Sequence, residues 1–123
     1  MRNLIRLSIA AALSVAASQA QAQTQTSEYA GTSFGSGPGK CSSYQMSVEV
    51  TVTGNDVKGL FQQAGRTKRH FNATRDASGA FKTQAVVGHR GKMTVTGTLR
   101  QDGGDVVLEG YCRFDTKLVR RQP

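Results

Sequence analysis

The chain has 123 residues, 37% hydrophobic and 7% aromatic, with 16 Lys+Arg against 8 Asp+Glu. That length holds one small domain and excludes a multidomain enzyme with a separate cofactor domain. With 14 Gly and no Trp the core is thin for its size, and the two Cys offer a single covalent staple.

The first 22 residues read as an export signal. Arg2 and Arg6 make a positive start, and Leu7 to Ala17 is an apolar run broken only by Ser8 and Ser14. Ala20-Gln21-Ala22 then places small residues at both positions of a cleavage site. A membrane-spanning helix needs about 20 continuous apolar residues. This run is shorter and ends in a Gln-rich stretch, so no transmembrane segment is expected. The expected location is the bacterial periplasm or the medium, after cleavage near Ala22. Loss of Arg2 and Arg6 takes the 16 basic residues to 14 against 8 acidic, a net charge of +6. In an oxidising compartment Cys41 and Cys112 are expected to form a disulfide. Two cysteines with no C-x-x-C spacing and no paired histidines make a poor metal site.

Residues 23–40 read as a flexible leader with room for one short strand over 29–34. Gly35-Ser36-Gly37-Pro38-Gly39 in particular is unsuited to any helix. From residue 41 to 121 the pattern repeats at two residues. Tyr44-Met46-Val48-Val50-Val52 alternates without error against Gln45-Ser47-Glu49-Thr51-Thr53, which predicts a half-buried strand. Further strands are expected over 57–63, 67–74, 81–87, 92–100 and 105–112, with a weaker one over 115–120. Short turns rich in Gly, Asn and Asp separate them, so neighbours should form antiparallel hairpins.

Turn chemistry suggests a register. A two-residue turn at Asp102-Gly103 sets Leu99 opposite Val106, Gly97 opposite Leu108 and Val95 opposite Gly110. A turn at Asn55-Asp56 sets Val50 opposite Phe61. Loops ending at Gly79 and Gly91 would hold those glycines in the left-handed conformation, with Phe71 opposite Ala85 and His70 opposite Val86. In each hairpin one apolar face meets another. The expected fold is all-β: an antiparallel up-and-down meander of six to eight strands, closing into a small barrel or flattened sandwich with one disulfide.

Such a meander sorts the charges by pole. Turns 54–56, 76–79 and 101–104 share one pole, where Asp56, Asp76, Asp102 and Asp105 accompany Lys58, Arg75 and Arg100. Turns 63–67 and 88–91 share the other with the disulfide, and there Lys40, Arg66, Lys68, Arg69, Arg90, Lys92 and Arg113 face only Asp115. Concentrated positive charge attracts anions. Arg66, Lys68, Arg69, Arg90, Lys92 and Arg113 are therefore the candidate binding residues. The expected partner is an anionic envelope component: a polymer, a lipid head group or an acidic protein. Specific nucleic-acid recognition is not expected, because no reading helix is visible and the basic pole lacks interleaved aromatics.

No nucleophile motif, phosphate loop or zincin helix occurs, and the acidic residues sit mostly in turns, where Asp is a routine turn former. In the expected register His70 and His89 stand roughly 10 Å apart at about 3.3 Å per residue, too far to share a metal. No catalytic residue, metal or cofactor is expected, and the chain does not read as an enzyme. In size, compartment and single disulfide it resembles the small periplasmic β-barrel inhibitors of lysozymes and proteases. That resemblance implies a binding module. None of those families' signature motifs occurs from Tyr44 to Leu118, so no inhibitory residue is carried over. Two alternatives are a lipocalin-like carrier with an apolar ligand in the barrel interior and a structural envelope protein.

Overall fold

A computed structural model describes residues 25–89 and 91–121. The expected signal segment and Arg90 lie outside these residues. The described chain is eight strands: β1 (Thr26–Ser36), β2 (Gln45–Thr53), β3 (Asp56–Gln63), β4 (Arg69–Thr74), β5 (Ala80–Val87), β6 (Gly91–Leu99), β7 (Gly103–Glu109) and β8 (Arg113–Arg120). They form one antiparallel sheet in the order β4-β3-β2-β1-β8-β7-β6-β5. The first strand joins the last, so the sheet curls into a nearly closed barrel. Its one seam lies between β4 and β5, in the middle of the chain.

The strand over 29–34 expected within a flexible leader is a full strand of 11 residues and belongs to the barrel. β1 pairs with β2 from Thr26 to Phe34 and with β8 in two short stretches, Tyr29↔Arg120 with Ala30↔Val119 and Gly35↔Phe114 with Ser36↔Arg113. Its inward side chains are Tyr29, Gly31, Ser33 and Gly35, small or polar apart from the tyrosine. That composition hides the strand from a search for apolar alternation. The contacts explain it: a Cβ on Gly31 would meet the carbonyl of Lys117, and Ser33 Oγ hydrogen-bonds Thr116 Oγ1 at 2.7 Å inside the wall. Phe114, Thr116 and Leu118 of β8 fill the space that β1 leaves.

The inner face follows the expected alternation. Met46, Val48, Val50 and Val52 are all buried. Two registers differ from expectation. The β2–β3 turn is Gly54-Asn55, with Gly54 at φ +62° in a position that favours glycine, and Val50 faces Gly59 while Val48 faces Phe61. The β6–β7 turn uses Gln101-Asp102, which sets Leu99 opposite Gly104, Gly97 opposite Val106 and Val95 opposite Leu108. Gly103 and Gly104 are needed in β7 itself, because a Cβ at either would stand within 2.6 Å of a neighbouring carbonyl oxygen. Both shifts move the partner by two residues, so every inward side chain stays inward. In the β5–β6 loop, Gly88 takes the left-handed conformation at φ +74°, and Gly91 pairs with Val87.

The expected β4–β5 hairpin does not form its ladder. Arg75 N–H bonds the Asn55 carbonyl and Leu99 N–H bonds the Gly79 carbonyl, so each end of the connection extends its strand's other ladder. Asp76 satisfies the loop between them, accepting from Ser78 Oγ at 2.6 Å and from the N–H groups of Ser78 and Ala80. The seam is held by side chains instead. The Phe71 and Phe81 rings stack across it with centroids 6.0 Å apart, and Phe61 lies 6.2 Å from Phe71. Phe71 lies over Gly59, its partner on β3, and Phe81 over Gly97, its partner on β6. The inward glycines thus make room for rings.

The disulfide expected from the compartment argument is present, joining Cys41 to Cys112 with Cα atoms 5.5 Å apart. Cys41 opens a single 3₁₀ turn, Cys41–Ser43, before β2. Cys112 lies in the tight β7–β8 turn, since β7 ends at Glu109, three residues earlier than expected. Because β1 runs between β2 and β8, the two connections are neighbours at one pole.

Candidate functional site

The chain direction of each strand brings connections 37–44, 64–68 and 110–112, with Gly88 and His89, to the disulfide pole. Between them the barrel mouth opens as a cup of about 500 Å³. Met46, Phe61, Met93 and Phe114, from β2, β3, β6 and β8, form its floor. Half-buried Tyr44 and Val87 continue the apolar wall, and exposed Tyr111 stands at the rim. The opposite pole is closed by Tyr29, whose hydroxyl donates to the Arg100 carbonyl at 2.9 Å.

Alternation on β4 explains the most telling basic residue. Arg69, Phe71 and Ala73 share the inward face, and Arg69 is the one nearest the mouth. It is half-buried, lines the cup and faces Phe61 in the β3–β4 register. Arg66, in the β3–β4 turn, and Lys92, at the start of β6, are exposed and border the same opening. No Asp or Glu lines the cup among the described residues.

The six expected binding residues therefore divide. Arg66, Arg69 and Lys92 converge on the cup. Lys68 lies instead on an outer groove along the β4–β5 seam, with His70 and Val86. The expected pairing of His70 with Val86 is absent, but both border that groove. Arg113 is on the outer face of β8, where it pairs with Glu109 at 3.0 Å and Asp115 at 3.8 Å. Glu109, which β7 carries to this pole, is a second acid there beside the expected Asp115. Arg90 falls outside the described residues.

The two poles differ in how their charges are met. Near the closed pole Arg100 contacts Asp102 and Asp105, Lys117 contacts Asp105, and Arg121 contacts Glu28 and Glu49. At the open pole Arg113 alone has acidic partners among the described residues. Arg66, Arg69 and Lys92 have none, and their side chains donate no hydrogen bond there.

Sequence reasoning brings Arg66, Arg69 and Lys92 to this pole and misses the apolar floor. Met46 and Phe61 read in the sequence as inward members of their strands, with nothing to set them apart from the rest of the core. Only the stagger of the strand ends shows that Met46, Phe61, Met93 and Phe114 are the last core layer beneath an open mouth. One signal was available: the alternation that turns Phe71 and Ala73 inward also turns Arg69 inward. Neither a protein-family model nor a curated protein matches this chain.

Proposed function

We propose that this protein is an exported binding module whose open, basic pole captures an anionic partner of the cell envelope. The observation that carries this reading is the trio Arg66, Arg69 and Lys92 around the cup, which have no acidic partner among the described residues, whereas Arg100, Lys117 and Arg121 near the closed pole are met by carboxylates. A partly desolvated guanidinium with five donors and no acceptor favours an incoming oxyanion. A signal-like start and a disulfide suit that location.

The test is retention on an anionic matrix. The triple variant Arg66→Glu, Arg69→Glu, Lys92→Glu should lose retention. The variant Lys58→Glu, Lys82→Glu, Lys117→Glu changes net charge equally at other positions and should keep most of it. Moderate salt should release the unmodified protein, since exposed charges are screened over about 10 Å at 0.1 M. Equal loss from the two triples would defeat the proposal. A carrier reading draws on the apolar floor of the cup, and it predicts ligand capture that survives salt.

A further inference from the structure

We propose that the cup takes a single-chain amphiphile with a terminal oxyanion, such as a fatty-acid carboxylate, its head at Arg69 and its alkyl chain on the methionine-lined floor. This inference rests on the basic-pole reading and specifies the chemistry of the partner. It joins two features that a purely hydrophilic polyanion would leave unmatched. Arg69 lies inside the mouth, and Phe61, directly across the β3–β4 register, belongs to the apolar floor. The positive charge and the apolar surface thus stand side by side on neighbouring strands. A ligand using both must carry its charge at the end of an apolar chain.

The size and material of the cup suit that occupant. A volume of about 500 Å³ is within the ordinary range of small-molecule sites. The floor is built from Met46 and Met93 with Phe61 and Phe114. Methionine is unbranched and adaptable, so a flexible chain can be packed without a shaped slot. The walls offer no carboxylate to repel the head group among the described residues, and Arg66 stands at the rim as a second donor. An acidic protein loop or a sugar phosphate would meet the arginines and leave the floor to water.

The experiment uses protein labelled with ¹³C at the methionine methyl groups, because Met46 and Met93 both face the cup. Sodium decanoate, below its micelle concentration, should shift both signals saturably at one ligand per protein. Lengthening the series from octanoate to dodecanoate should tighten binding roughly fourfold per added methylene until the floor is covered. The neutral analogue 1-decanol should bind at least tenfold more weakly. Arg69→Gln should bring decanoate down to the level of decanol while leaving decanol binding unchanged, which also shows that the variant is folded. Arg69→Lys, which keeps the charge, should recover part of the affinity. Val87→Gln, at a half-buried wall position, should weaken both ligands.

Methionine signals that stay unmoved by decanoate would overturn the inference, as would equal binding of decanoate and decanol. If the protein is still retained on the anionic matrix through Arg66, Arg69 and Lys92, the basic-pole reading survives and the amphiphile alone is lost. If retention fails as well, both fall.

Discussion

Replacing Gly59 by Ala should destabilise the barrel through one aromatic ring. In a strand interior this exchange ordinarily stabilises by about 0.5–1 kcal/mol, because glycine has more backbone freedom to lose. Gly59 has no left-handed φ, so no backbone penalty opposes that gain. Space decides the sign. A Cβ built on Gly59 would lie 2.0 Å from Cε1, 2.1 Å from Cζ and 2.6 Å from Cδ1 of Phe71, all far inside contact distance. The ring has little freedom to retreat, being 2% exposed, stacked on Phe81 across the seam and flanked by Phe61. Overpacking of this kind costs about 1–3 kcal/mol. Less the backbone gain, the net loss is up to about 2.5 kcal/mol, so at roughly 4–8 °C per kcal/mol for a domain of this size Gly59→Ala should lower the melting temperature by up to about 10–20 °C. The clash involves the ring alone, so it should vanish in a Phe71→Leu background, where Gly59→Ala should be neutral or stabilising. Urea unfolding of the wild type, both single variants and the double variant measures the coupling, expected at about 1–3 kcal/mol and favourable. Additive effects, or a stabilising Gly59→Ala in the wild type, would refute this account of how the seam is packed.

The disulfide closes a separation of 71 residues, and its removal by Cys41→Ser with Cys112→Ser should cost about 4 kcal/mol in the chain-entropy model, seen as a large fall in the unfolding midpoint. Tyr29→Phe removes the hydrogen bond to the Arg100 carbonyl at the closed pole and should cost about 0.5–1.5 kcal/mol, with urea unfolding as the measure. The Asp76 carboxyl should titrate below the ordinary aspartate value of about 3.9, because the Ser78 hydroxyl and then the Ala80 N–H bond its charged form. Its folded pKa is depressed, so its stabilising effect is present above the unfolded value and lost as pH falls through the folded one. A carboxyl NMR titration checks the direction, and a midpoint at or above the ordinary value would contradict the loop geometry.

Much of this architecture can be read along the chain. The alternation from Tyr44 to Thr53 assigns a core face to β2, and short turns bounded by Gly, Asn and Asp leave antiparallel neighbours as the economical connection. Those two facts suffice to send Arg66, Arg69 and Lys92 to the pole that carries the disulfide. Turn chemistry was less decisive at Asp102-Gly103-Gly104, because two candidate turns differ only by a two-residue change of partner that keeps both faces intact. Local preference could not choose between them; the close carbonyls of Thr98 and Leu118 did.

Inward and outward faces, strand direction and the gathering of positive charge at one end were determined by the sequence itself, since side chains alternate along any strand and short loops reverse it. The place of β1 between β2 and β8, the unladdered seam between β4 and β5, and the cup beneath Arg69 were decided only by the tertiary structure. Each depends on groups distant in sequence: a serine meeting a threonine 83 positions away, two phenylalanine rings each lying over a glycine of the neighbouring strand, and strand ends that leave a cup above the last buried core layer. Alternation records which way a residue points, and the closing of the sheet determines what it meets there.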